Sequence, residues 1–114
     1  MKWKILEDCG NSHKNKMLVE WIVDLVDQND DMTFVQEDSV VIYKGTPTPL
    51  LDFKIPAEIN EIQLEKAITH GKDGAILGKA ISDHKEYPFS LFFEFSLGKQ
   101  PKIKTLTCIV DRVS

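Results

Sequence analysis

Glu94, His70 and Tyr43 are the side chains in this sequence that could move a proton on a bound substrate. Such chemistry needs a group that titrates near ambient pH and lies within reach of the reacting atom. Glu94 stands between Phe93 and Phe95 in an apolar, strand-like run. Burial there would raise its carboxyl pKa and make it a general acid. The plainer reading turns it away from the core and pairs it across the strand with Lys102 or Lys104. His70 precedes Gly71 at a strand end, where turn or edge hydrogen bonding accounts for it. Tyr43 could set a phenol at a cavity mouth, although packing in a core is the commoner use of a tyrosine. His84, in a polar turn, and His13, at a helix start, read as solvated. Cys9 and Cys108 lack a neighbouring His, a C-x-x-C and zinc-ligand spacing, so neither a nucleophile nor a metal site is expected. There is no G-x-S-x-G, no glycine-rich phosphate loop and no H-E-x-x-H. No cofactor is expected, and no motif fixes a reaction.

The elements that must carry these residues fall into two halves. Met17, Leu18, Trp21, Ile22, Leu25 and Val26 recur at helical spacing, which predicts a helix from about His13 to Gln28. Asn11 or Ser12 can cap its start, and Asn29-Asp30-Asp31 ends it. A short helical piece is expected at Met32–Glu37 and a strand at Ser39–Tyr43. Residues 1–12 read as an irregular lead-in anchored by Trp3, Ile5 and Leu6. The segment 45–61, with three prolines, reads as a return strand, a loop or one turn of helix.

From Glu61 the period changes to two. Ile62, Leu64 and Ile68 alternate with polar residues, and runs at 75–82, 87–95 and 102–113 follow across short turns. Short turns between neighbouring strands predict an antiparallel meander. Its last two strands are apolar on both faces. Phe89, Leu91, Phe93 and Phe95 oppose Phe92, while Leu106, Cys108 and Val110 oppose Ile103 and Ile109. Helices cover one face of such a sheet, and the simplest cover for the other is a second copy of the chain through a two-fold axis. A homodimer through the outer sheet face is therefore expected.

At 114 residues the chain is expected to form one domain over 1–114, with 42% hydrophobic and 28% charged residues. A net charge of −4 disfavours nucleic acid or an anionic membrane as partner. No apolar run suits a signal peptide or a membrane span, and two unpaired cysteines suit a reducing compartment, so the cytoplasm is expected.

Three stretches resemble one family. They are Trp3-Lys4-Ile5 with Glu7-Asp8-Cys9-Gly10-Asn11, then Ile68-Thr69-His70-Gly71-Lys72-Asp73-Gly74-Ala75, then Lys102-Ile103-Lys104-Thr105-Leu106-Thr107. With the order helix, short helix, strand and meander, they are similar to small bacterial members of the nuclear transport factor 2-like (SnoaL-like) superfamily. The resemblance spans most of the chain outside roughly 43–61. It implies an α+β fold: a curved antiparallel sheet wrapped around N-terminal helices as a cone-shaped roll, cystatin-like or SnoaL-like, abbreviated between 43 and 61. It also implies a conical cavity and dimers through the outer sheet face. The positions matching the family's catalytic acids are apolar. Leu91 matches the hydrogen-bond donor, and the stretch near Ile42 or Tyr43, which matches the base, has no acid. Val41 matches a family tryptophan. The segment 45–61 is too short for a hairpin and the family's third helix, which would leave the cone shallow or open.

The function expected from all of this is non-catalytic binding of a small apolar or amphipathic molecule. Met17, Trp21, Tyr43, Phe89, Leu91 and Phe93 are expected to line the cavity. The alternatives are an isomerase, dehydratase or cyclase using Glu94, His70 or Tyr43, and a dimeric protein-interaction module whose cavity is filled by its own side chains.

Overall fold

The period-two half of the chain folds into the centre of one seven-stranded sheet. The computed structural model describes residues 1–10, 12–29 and 32–110. Strands β4 (Glu61–His70), β5 (Asp73–Ser82), β6 (Lys85–Phe95) and β7 (Ile103–Val110) form the expected antiparallel meander. Asp83 and His84 turn the chain between β5 and β6 with φ of 43° and 70°, a left-handed geometry these polar types tolerate. Residues 111–113 of the expected last strand lie outside the described residues.

The N-terminal half departs from expectation in two places. Residues Lys2–Ile5 are not an irregular lead-in but a strand, β1, parallel to β4. The expected short helix at 32–37 does not form. Strand β2 instead runs Val35–Tyr43 and lies parallel to β7. Its first half departs from regular pairing: Val35 faces Ile103 and Val40 faces Thr105, so the intervening residues loop out. The buried Ser39 hydroxyl holds that loop, accepting from Gln36 N at 2.8 Å and donating to Ile103 O.

The return strand, one of the readings of 45–61, forms a hairpin with β2. Lys44 and Gly45 both have positive φ, 53° and 77°, and form a two-residue turn from Tyr43 to Thr46. Strand β3 (Thr46–Pro49) then pairs antiparallel with β2 and ends the sheet. Ladder bonds alternate from the closing pair Tyr43–Thr46, so Pro47 and Pro49 fall at non-bonded positions where a missing N–H costs the ladder nothing. A 3-10 turn at Leu50–Asp52 follows, and 53–60 is irregular, so the segment holds a return strand and a loop.

The strand order is β1-β4-β5-β6-β7-β2-β3, a mixed sheet with parallel pairs at β1–β4 and β2–β7. The described residues contain one α-helix, α1 (His13–Asp27), where helices in the plural were expected. Ser12 caps it, its Oγ accepting from Asn15 N at 3.1 Å; Asn11 and Asp30-Asp31 lie outside the described residues. Gln28 closes the helix at φ 52°. The helix packs on the concave face, burying Leu18, Val19, Trp21, Ile22 and Leu25. Trp21 stacks on Phe34 at 5.4 Å and meets Phe95 edge-on at 5.7 Å, which closes one end of the roll.

Two irregularities exchange faces that strict alternation assigns otherwise. The β4–β5 register shifts between Leu64 and Lys66, which brings Ala67 inside and turns Ile68 outward, 58% exposed. The β6–β7 register shifts between Glu94 and Phe95, so Ile103 lies buried on the same side as Leu106 rather than with Ile109. The assignments within β6 hold: Leu91, Phe93 and Phe95 are buried, and Phe92 and Glu94 are exposed.

Candidate functional site

The concave face of the sheet is longer than the single helix can cover. Beyond the Trp21 end it walls a pocket of about 740 Å³. Helix α1 contributes Ile22 and Val26 to it. The sheet contributes Val41 and Tyr43 from β2, Ile62 from β4, Tyr87, Phe89 and Leu91 from β6, and Cys108 and Val110 from β7. The third side is the irregular segment that follows β3, through Phe53, Lys54, Ile55, Pro56, Glu58 and Ile59. This strap occupies the place expected of a third helix, and the pocket stays open beside it.

Register sets the lining in rows across the sheet. Leu91, Cys108 and Tyr43 make one row across β6, β7 and β2, and Phe89 with Val110 make the next. Ile22, Val41, Ile62 and Leu91 are almost fully buried, with exposures of 2–4%. Tyr43 is exposed at the end of β2, and Lys44, Lys54 and Glu58 are exposed with it. Polar groups therefore gather at the opening over an aliphatic and aromatic interior. The Lys44 ammonium lies 5.4 Å from the centre of the Tyr43 ring, within cation–π range. Burial pushes the Cys108 thiol above its ordinary pKa, because the thiolate would lose its hydration.

Of the lining expected from the sequence, Tyr43, Phe89 and Leu91 reach the pocket. Met17, Trp21 and Phe93 do not: Trp21 and Phe93 are packed in the core, and Met17 packs partly exposed against it. The proton-transfer candidates separate in the same way. Glu94 is exposed on the convex face, opposite Thr105, and His70 is exposed at the end of β4 opposite Asp73. Neither lines the pocket. Among the described residues, Glu94 makes no ion pair with Lys102 or Lys104. Tyr43 alone of the three is in place, joined by Tyr87 and Glu58, which sequence reasoning missed. Phe53, Ile55 and Ile59 were also missed, although three apolar residues in a proline-flanked stretch signal a segment with something to cover. Leu91 stands in the pocket wall and offers no proton there.

No protein-family model matches the chain, and no curated protein does. Solved structures do. An NTF2-like protein of unknown function from Cytophaga hutchinsonii superposes with a TM-score of 0.57 at 14% identity, covering 83% of this chain and 87% of that one. A de novo designed NTF2 fold protein gives 0.57 at 14% identity, over 81% of this chain and 79% of that one. An NTF2-like protein of unknown function from Shewanella baltica gives 0.52 at 9% identity, over 91% and 100%. At such identities the likeness is one of fold, and it agrees with the sheet, the helix and the concave pocket described above. The chain has the nuclear transport factor 2-like fold.

Proposed function

We propose that the chain works as a single SnoaL-like domain that binds a small, largely apolar molecule in the pocket between α1, the sheet and the 53–59 strap. The observation that carries this reading is the pocket itself. Its size falls within the roughly 300–1,000 Å³ typical of small-molecule sites, and its charged groups, Lys44, Lys54 and Glu58, are exposed at the opening. Glu94 and His70 lie outside it, while Tyr43, Tyr87 and Glu58 line it, and the role proposed is binding without catalysis. The test is titration with the neutral dye Nile red, with native mass spectrometry of the purified protein for a retained ligand. One saturable dye site per chain is expected, and Leu91→Trp should abolish it by filling the floor. Absence of saturable binding would sink the reading.

The same proposal includes a homodimer. On the convex face the register aligns Ile68, Ala75, Phe92 and Thr107 across β4 to β7, with Leu77 and Ile109 beside them. Ile68, Leu77, Phe92 and Ile109 are each about half exposed, an apolar band fitting a second copy of itself. Sedimentation should give twice the 13.0 kDa chain mass, and Phe92→Glu should return the monomer. Cys9 and Cys108 are unbridged, which fits action in the cytoplasm, and no helix among the described residues is long and apolar enough to cross a membrane.

A further inference from the structure

The mouth of the pocket carries charge of one predominant sign on a protein of the other. Lys44 and Lys54 both line it and Glu58 is the one acid among its lining residues, while the whole chain has a net charge of −4. Neither lysine forms an ion pair among the described residues. The ion pairs among the described residues lie elsewhere: Lys2 meets Glu61, and Lys79 sits between Glu65 and Glu86. Their positions are set by backbone geometry. Lys44 occupies a left-handed turn position that directs it from the end of β2, with its ammonium against the Tyr43 ring. Lys54 follows Phe53 on the strap, so adjacent residues supply an apolar contact and a cation to the same pocket. Inside, the walls are mainly Ile, Val, Leu and Phe side chains, with Cys108 and Tyr87 among them.

We infer that the ligand is an amphipathic anion, its hydrocarbon body held between Phe89, Leu91 and the strap and its head group at Lys44 and Lys54. This rests on the proposed binding role of the pocket and adds the ligand's charge and polarity to it. Burial of the hydrocarbon supplies the affinity, at about 0.8 kcal/mol per methylene. The two ammonium groups select the head. Each acts across an exposed, screened distance, so together they favour the anion by about fivefold over a neutral head of the same chain length. Glu58 opposes them, and Glu58→Gln should raise affinity for the anion.

Cys108 reports occupancy, because it lines the pocket, while Cys9 is 1% exposed and serves as the internal control for unfolding. Iodoacetamide modification of Cys108 is followed by mass spectrometry with decanoate, decan-1-ol or decyltrimethylammonium, at concentrations where Cys9 stays unmodified. Decanoate is expected to protect Cys108 at about fivefold lower concentration than decan-1-ol. That advantage should vanish in Lys44→Gln/Lys54→Gln and shrink in about 1 M NaCl, where the Debye length is about 3 Å. Both lysines are exposed, so the double variant should fold normally. Equal or better protection by the alcohol or the cation overturns the anion preference and leaves the pocket reading standing. Protection by none of the three overturns both.

Discussion

Gly78 is where the sheet and the pocket are mechanically joined. A Cβ built there would collide with the Gln63 carbonyl oxygen and lie 2.7 Å from Cζ of Phe89. The carbonyl is backbone beside the β4 irregularity, so it cannot retreat without disturbing the β4–β5 ladder. The Phe89 ring is a pocket wall, so it can retreat only by changing the pocket. Overpacking of this kind costs about 1–3 kcal/mol, and Ala in place of Gly in a strand recovers roughly 0.5–1 kcal/mol. Gly78→Ala should therefore lose about 1–2 kcal/mol. With a urea m-value of about 2 kcal/mol/M, the middle of the usual range, the unfolding midpoint should fall by about 0.5–1 M. Gly74→Ala is the matched control. Its added methyl meets the terminal Cδ1 of Leu18 at 2.5 Å, and a side-chain end can turn aside where a carbonyl cannot. Its loss should be the smaller of the two. An unchanged midpoint for Gly78→Ala, or a larger loss for Gly74→Ala, would refute the reasoning.

Four further outcomes follow from the same structure. Ser12→Ala removes the acceptor for Asn15 N and should cost about 1 kcal/mol in urea unfolding, since it leaves a first-turn donor unmatched. Leu91→Ala should cost about 2–4 kcal/mol, toward the low end because the pocket already lies against that side chain. Burial raises both thiols in the folded state, for Cys9 with help from nearby Asp8 and Glu65 and against a hydrogen bond at Leu6. The stability they hold is thus fully present below the ordinary value of 9.0 and is lost as pH rises through the folded one. Urea unfolding from pH 7 to 10 should show a steeper alkaline decline for the wild type than for Cys108→Ala. Pro47→Val/Pro49→Val restores two donors to the free edge of β3, and light scattering should report faster aggregation on heating.

Where local pattern decides structure, the sequence was sufficient. The apolar stripe from Met17 to Val26 formed the helix, and the turns at Gly71–Lys72, Asp83–His84 and Gly98–Pro101 separated the meander strands. Where long-range pairing decides, it was not. Lys2–Ile5 becomes a strand because β4 offers an edge, and Thr46–Pro49 becomes one because β2 does. In each segment strand formers alternate with residues that disfavour strands, Trp3 and Ile5 with lysines and Thr46 and Thr48 with prolines. The inward face of Ile103 and the outward face of Ile68 depend on single-residue register shifts that alternation cannot foresee. The pocket was half legible for a related reason. Helix spacing marked the apolar stripe, but which side of α1 faces Phe34 and which faces open space was set by packing. Trp21 went to the closed end, and Ile22 and Val26 to the pocket.

The parallel contact of β2 with β7 has a temporal consequence. Val41 pairs with Leu106, so the first hairpin has no docking site until the last described strand exists. During synthesis the β4–β7 meander can close turn by turn, while β2 and β3 wait as a two-stranded ribbon, marginal on its own. Val41→Ala should accordingly hasten unfolding while barely slowing folding, as stopped-flow chevrons would reveal. Throughout that wait the outer edge of the ribbon is the one bearing Pro47 and Pro49, so the nascent chain shields itself from its neighbours where it is longest exposed.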